Sequence, residues 1–166
     1  MNQPMNQTRD TAGVIAPPPL LAVAAIVLGL LLDWIAPAYV LTIMLSWGTR
    51  LLLGLELMAA GVALIYAAQK AFRAAHTHVE PWKPSTAIVT TGIFAWLRNP
   101  MYVGGLAALL GLAVLLASDW MVVMTVVTGL ILHFGVVKRE ERYLAAKFGD
   151  VYRRYCAAVP RYGWPG

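Results

Sequence analysis

Four apolar runs, set apart by polar or charged stretches, decide what this chain of 166 residues can become. They extend from Pro18 to Val40, Leu51 to Ala68, Met101 to Ala117 and Trp120 to Val137. About 20 apolar residues cross a hydrocarbon core. The expected architecture is therefore all-α: a polytopic membrane protein of about four transmembrane helices.

Composition agrees. Hydrophobic residues make up 60% and charged residues 13%, with a mean hydropathy of +0.67. A soluble domain carries about 25% charged residues. A disordered chain is excluded, and an ordinary soluble enzyme fits poorly. One cysteine, Cys156, excludes an internal disulfide and a multi-cysteine zinc site. His76 and His78 lie at alternate loop positions without an evident third ligand, so no metal is expected.

The segments divide by character. Residues 1–16 form a polar N-terminal tail ending at a proline triplet, without the basic start and short apolar run of a cleaved signal. Residues 17–68 hold the first two spans. Tyr39–Gly48 between them is either an early helix start or a re-entrant connector. Residues 69–100 form a long basic loop broken by Pro81, Pro84, Gly92 and Pro100; loops of this length in compact domains tend to be functional or disordered. Residues 101–137 form a tight hairpin turning at Ser118-Asp119. Residues 138–166 begin with a charged run. Tyr143, Leu144, Phe148, Val151, Tyr152 and Tyr155 then recur at helical spacing, predicting an interfacial amphipathic helix with a bend at Gly149.

Charge sets the expected topology. The net charge is +5. The long loop holds four Lys/Arg and the segment from Lys138 holds seven, whereas the connections on the other side hold only Arg50. Positive residues favour the cytoplasmic side, which places both termini and the loop there. The excess of cations suits anionic headgroups rather than nucleic acid. The lack of a targeting segment favours a prokaryotic inner membrane.

Several residues stand out, each with a plainer alternative. Glu56 lies within an apolar run; a carboxylate there is a functional candidate or an interhelical contact. His133, near the end of the fourth run, is a catalytic candidate or a hydrogen-bonding core residue. Arg98, Asn99 and Pro100 open the third run. A guanidinium and a helix N-terminus together suit an anion, but they also suit a positive anchor and a helix start. Gly104 and Gly105 leave room for a ligand or for a neighbouring helix. Glu140 and Glu141 could hold an ammonium or form a solvated, dipole-favoured first turn.

Taken together, these pieces resemble one family. The order Gly92, Arg98-Asn99-Pro100-Met101-Tyr102-Val103-Gly104, a two-span hairpin, Glu140-Glu141, Phe148-Gly149, Tyr152, Tyr155 and Val159-Pro160-Arg161 is similar to the isoprenylcysteine carboxyl methyltransferase family. More loosely it is similar to the phospholipid N-methyltransferases. The resemblance covers roughly Thr91 to Tyr162. It implies S-adenosylmethionine as cofactor and a lipophilic acceptor entering from the bilayer.

By the same resemblance, Arg98, Asn99, Pro100, Tyr102, Gly104, Gly105, Glu140, Glu141, Tyr152 and Arg161 would bind the cofactor. Tyr152, Tyr155, Val159, Pro160 and Arg161 would form a lid. Glu56, His133 or Glu140 could take a proton from an amine acceptor. Two positions depart from the family pattern: Asn99 stands where His is common, and Val136 where an Arg is common one turn before the glutamates. The acceptor stays open, as does the oligomeric state. A phospholipid-amine N-methyltransferase and a non-catalytic membrane binding protein on the same scaffold are the alternative readings. A nicotinamide reductase ranks below them, for no G-x-G-x-x-G fingerprint is present.

Overall fold

A computed structural model describes residues 11–163 of the chain. Residues 1–10 of the expected tail and 164–166 of the C-terminal segment lie outside the described residues. The elements in order are α1 (Pro18–Ile35), α2 (Val40–Met44), α3 (Trp47–Ala74), a 3₁₀ turn (Gly92–Ala95), α4 (Pro100–Leu116), α5 (Asp119–Leu132), a π-helical turn (His133–Val137), α6 (Lys138–Phe148) and α7 (Asp150–Ala158). No strand occurs among the described residues.

Local chemistry sets the boundaries. α1 stops at Ile35 because Pro37 follows, and the residue before a proline disfavours helical geometry. The 39–48 segment holds the short helix α2 and then the start of α3, which Ser46 caps and which begins at Trp47. The Ser46 hydroxyl accepts from the Thr49 N–H at 3.2 Å. α3 then runs 28 residues to Ala74, so Lys70 and Arg73 belong to its last turns rather than to the loop. Ser118 caps α5 in the same way as Ser46, accepting from the Met121 N–H. Gly149 at φ +58° separates α6 from α7.

Three helical stretches are long and apolar enough to cross a membrane: Pro18–Ile35, Trp47–Ala74 and the continuous Asp119–Phe148. α4 is apolar but has only 17 residues, about 26 Å. The chain is an all-α polytopic membrane protein.

Its packing is that of a bundle in lipid. In α1, α3 and α4 the buried positions are mostly small: Ala25, Gly29, Gly54, Gly61, Ala68, Gly104, Gly111 and Ala113. Large apolar side chains such as Leu20, Val27, Leu52, Val62 and Val126 point outward. Lipid tails are as apolar as these side chains, so close backbone approach has to supply the cohesion.

The tightest approach is between α3 and α4, which run antiparallel. Gly54 faces Gly111 and Gly61 faces Gly104, seven residues apart on each helix. A Cβ on Gly104 would stand 2.6 Å from the Gly61 carbonyl oxygen, and one on Gly111 would stand 2.7 Å from that of Gly54. Gly105 differs from its neighbour, because a Cβ there would meet nothing within 4 Å. α1 closes on α5 through Gly29, whose Cβ would lie 2.7 Å from the Met121 Cα.

The two ends of the bundle are distinct. The turn between α4 and α5 meets the C-terminal end of α1: the Ser118 hydroxyl donates to Asp33. The long loop, the start of α4, α6 and α7 gather at the other end. The described part of the N-terminal tail docks there too. Arg139 donates to the Gly13 carbonyl at 2.8 Å, and the Ile15 side chain fills the space that Gly135 leaves open.

Gly104→Ala should destabilise the bundle by about 1–3 kcal/mol, as overpacking does. Gly105→Ala should leave stability unchanged or raise it slightly through helix propensity. Thermal unfolding of both variants in one detergent checks the pair.

Candidate active site at the loop end of the bundle

The sequence places a cation, an amide and a proline in succession at the start of α4, and the fold turns each to a separate task. Pro100 occupies the first helical position and is fully buried. Asn99 does not cap the helix with its side chain. Its Nδ2 instead donates to the Arg161 carbonyl at 3.1 Å. The first turn of α4 therefore opens into a cleft without a side-chain cap. The cleft is walled by the 3₁₀ turn and loop, by α4, by Glu140 and Glu141, and by α7.

Arg98 and Glu141 form the centre. Arg98 Nη1 lies 2.8 Å from Glu141 Oε1 and 2.9 Å from Cys156 Sγ. Arg161 clasps the same carboxylate with two bonds, Nε to Oε1 and Nη2 to Oε2, both 2.8 Å. This is a bidentate, charge-assisted pair. The side chains of Arg98 and Glu141 are 12% and 17% exposed, whereas Arg161 is 35% exposed. The inner pair is thus little screened, and the outer one is weakened by solvent. Arg98 Nε is buried and has no hydrogen-bond partner. Beside this triad, Tyr102 donates to Glu140 at 2.9 Å.

The C-terminal segment is pinned over these groups. The Arg98 backbone N–H donates to the Pro160 carbonyl at 3.0 Å. The Tyr155 hydroxyl donates to the Phe94 carbonyl at 2.7 Å, and burial pushes its pKa up to about 12. Tyr152, buried on the same helix, is pushed up by burial and by neighbouring Cys156. The hydrogen bond to Glu141 raises Arg161 above its ordinary value. Both tyrosines stay neutral donors at any physiological pH. On the loop side, Phe72 and Phe94 meet edge to face at 5.0 Å, and Ser85 donates its N–H to the Tyr143 hydroxyl. Glu80 lies on the same rim, but Lys83 satisfies its charge and holds it below the usual carboxylate range.

The structure brings together Arg98, Asn99, Pro100, Tyr102, Glu140, Glu141, Tyr152 and Arg161. It does not bring the other candidates there. Glu56 sits two residues beyond inward-facing Gly54, about 200° round the helix, and is exposed on the outer face of α3. It lies about 24 Å along the helix from Phe72 and so takes no part in the cleft. Gly104 is spent on the contact with Gly61, and the free side of Gly105 meets no other group. His133 does not line the cleft; its Nδ1 pairs with the Tyr162 hydroxyl at 2.8 Å and ties the C-terminus to the π turn.

The dipole reading of Glu140 and Glu141 also needs correction. α6 continues α5 through the π turn, and the Lys138 N–H is bonded to carbonyls of that turn. There is no free helix start at the glutamates. Cys156, weighed from the sequence only for a disulfide or a zinc site, touches Arg98. Its spacing of four from Tyr152 puts both on one helix face, a signal the sequence does carry. His76 and His78 are loop residues, and no metal-binding group of three or more His, Cys, Asp or Glu exists among the described residues.

Comparison with known proteins then decides the family. The family model described as phospholipid methyltransferase matches residues 49–151, well over half of the chain. The chain belongs to the phospholipid methyltransferase family. It is also 40% identical over 76 residues to a Schizosaccharomyces pombe protein named protein-S-isoprenylcysteine O-methyltransferase. That match covers 44% of this chain and 31% of the relative, so the aligned stretch is about a third of that protein's length. No solved structure matches.

Removing the shared carboxylate should free the C-terminal segment. In Glu141→Ala two guanidinium groups lose their partner, a loss of about 1–3 kcal/mol. Trypsin cleavage at Arg153 and Arg154 should speed up at least about tenfold, as local opening becomes easier. Electrophoresis of a timed digest in detergent reads the result.

Proposed function

We propose that the chain is an S-adenosylmethionine-dependent methyltransferase whose acceptor is lipophilic and enters from the bilayer. The observation that carries this reading is the cleft itself. An uncapped helix start, a guanidinium, two carboxylates and a group of aromatic rings converge where an apolar bundle ends. Membership of the phospholipid methyltransferase family supports it.

The residues present suit such a cofactor. The buried, unpartnered Arg98 Nε and the α4 N-terminus fit a carboxylate. Glu140 and Glu141 fit an ammonium or ribose hydroxyls, and Phe72, Phe94, Tyr152 and Tyr155 offer aromatic surface. The cleft as it stands holds about 110 Å³, below the 300–1,000 Å³ of ligand sites. Admitting a nucleoside requires α7 and the Pro160–Arg161 strap to swing outward. The solvent-screened Arg161–Glu141 contact is the one that yields first.

When bound, S-adenosylmethionine supplies a methyl group on a sulfonium, open to in-line displacement. The task of the chain is alignment and exclusion of water. Arg98 and Glu141 hold the cofactor's charged end. Tyr102 orients the Glu140 carboxylate, which is placed to take a proton from an amine acceptor. Val136 is fully buried and presents no cation to an acceptor carboxylate. This favours an amine-bearing lipid over a prenylcysteine carboxyl group. The loop end, with its many Lys and Arg residues, faces the cytoplasm on this reading.

Calorimetric titration of S-adenosylhomocysteine into the detergent-purified protein tests the proposal. Wild type should bind, and Glu140→Gln should bind about tenfold to a hundredfold more weakly, the worth of a hydrogen bond to a charged group. Glu56→Gln should bind as wild type and turn over normally. Folded wild type without any binding would overturn the reading and leave a non-catalytic membrane binding protein.

A further inference from the structure

A second cavity lies at the opposite end of the bundle, about 30 Å along α3 from the cleft. Its volume is about 540 Å³. The end of α1, the connector before α2, the first turn of α3 and the turn between α4 and α5 form its walls. These walls are tied together by polar contacts. Asp33 accepts from the Ser118 hydroxyl and from the Trp120 N–H. Asp119 accepts from the backbone N–H groups of Val40 and Leu41, both at 2.9 Å. Trp120 Nε1 donates to the Ala36 carbonyl at 2.7 Å.

Arg50 is the anomaly here. It lines the cavity, and its Nε is buried without a hydrogen-bond partner. Among the described residues it forms no ion pair, although two carboxylates share the cavity with it. A buried donor left without a partner is destabilising, and charge near hydrocarbon adds to that. Trp34 and Tyr39 also line the cavity and are 82% and 60% exposed. Exposed Ile43 and Met44 on α2 flank it. Such aromatic and apolar exposure marks the level of lipid headgroups.

We infer that this cavity binds the headgroup of a zwitterionic phospholipid from the leaflet opposite the cleft. The phosphate meets the Arg50 guanidinium, a charge-assisted and bidentate match. The ammonium lies toward Asp33 and Asp119 and against the faces of Trp34 and Tyr39, as a cation over aromatic rings does. The acyl chains follow the outward-facing Leu30 and its neighbours on α1 down into the bilayer. An anionic headgroup would satisfy Arg50 but bring further negative charge to the two carboxylates. A free anion would leave the aromatic wall uncovered. Because the site is a membrane's thickness from the cleft, this lipid is a structural ligand rather than an acceptor.

The test is thermal unfolding of the detergent-purified protein with no methyl donor present, and the Arg50 variants, which leave the cleft intact, separate lipid bound here from lipid bound in the cleft. Dioleoyl-phosphatidylethanolamine near saturation should raise wild-type Tm by about 5 °C or more. Dioleoyl-phosphatidylglycerol should raise it less than half as much, and dioleoylglycerol not at all. Arg50→Gln should lose the phosphatidylethanolamine shift, and Arg50→Lys should keep part of it. Retained lipid counted by native mass spectrometry should fall in the same order, which covers the case of a poorly folding Gln variant. Equal shifts with phosphatidylglycerol or dioleoylglycerol, an undiminished shift in Arg50→Gln, or an equal shift with free phosphoethanolamine would each overturn the inference.

Discussion

The glycine seam between α3 and α4 is the contact on which the rest of the molecule depends. Gly54 against Gly111 and Gly61 against Gly104 bring two antiparallel backbones within van der Waals distance. In lipid no solvent drives large apolar faces together, so cohesion has to come from such approach. The seam also fixes the register in which α3 and α4 lie against each other. The 25 residues between Ala74 and Pro100 must therefore fold back over one end of the bundle. That end is where Arg98 emerges and where Phe72 meets Phe94.

Above the seam, a small charge network replaces the close packing that the bundle uses. One carboxylate, Glu141, is shared by two guanidinium groups from opposite sides of the cleft. Arg98 reaches it from the loop and Arg161 from the C-terminal strap. Buried ion pairs give little net stability but make strong demands on geometry. Here the inner half is sheltered and the outer half is open to water. A closed segment built this way is held in one position yet released at modest expense. It suits a site that has to admit and discharge a ligand.

Much of this was legible in the sequence, though unevenly. The apolar runs, the turn at Ser118-Asp119 and the break at Gly149 follow from local chemistry that a sequence records directly. The gathering of Arg98, Asn99 and the Glu140-Glu141 pair is what the resemblance to a known family implied; the residues taken singly had plainer readings. Features that depend on which way a helix is turned were hidden. Gly104 and Gly105 are chemically identical, yet one faces α3 and the other faces nothing. Glu56 looked like an interior carboxylate, because an apolar run does not show which face turns inward. α3 outlasted its apolar run because Lys70 and Arg73 are good helix formers. The glutamates looked like a helix start because a charged run after an apolar one gives no hint that the helix simply continues.

That continuity passes through the π turn at His133–Val137, where each hydrogen bond spans one residue more than in an α-helix. Such a turn is equivalent to a single extra residue absorbed without breaking the rod. Each residue of an α-helix advances the side chains by about 100°. Rewinding the turn as ordinary α-helix with every residue kept would leave the rod intact while rotating everything beyond it by roughly that angle. Glu140 and Glu141 would swing away from Tyr102 and Arg98, although no residue of the cleft had changed. The phase of the last helix is thus set by how five residues outside the cleft lining are wound.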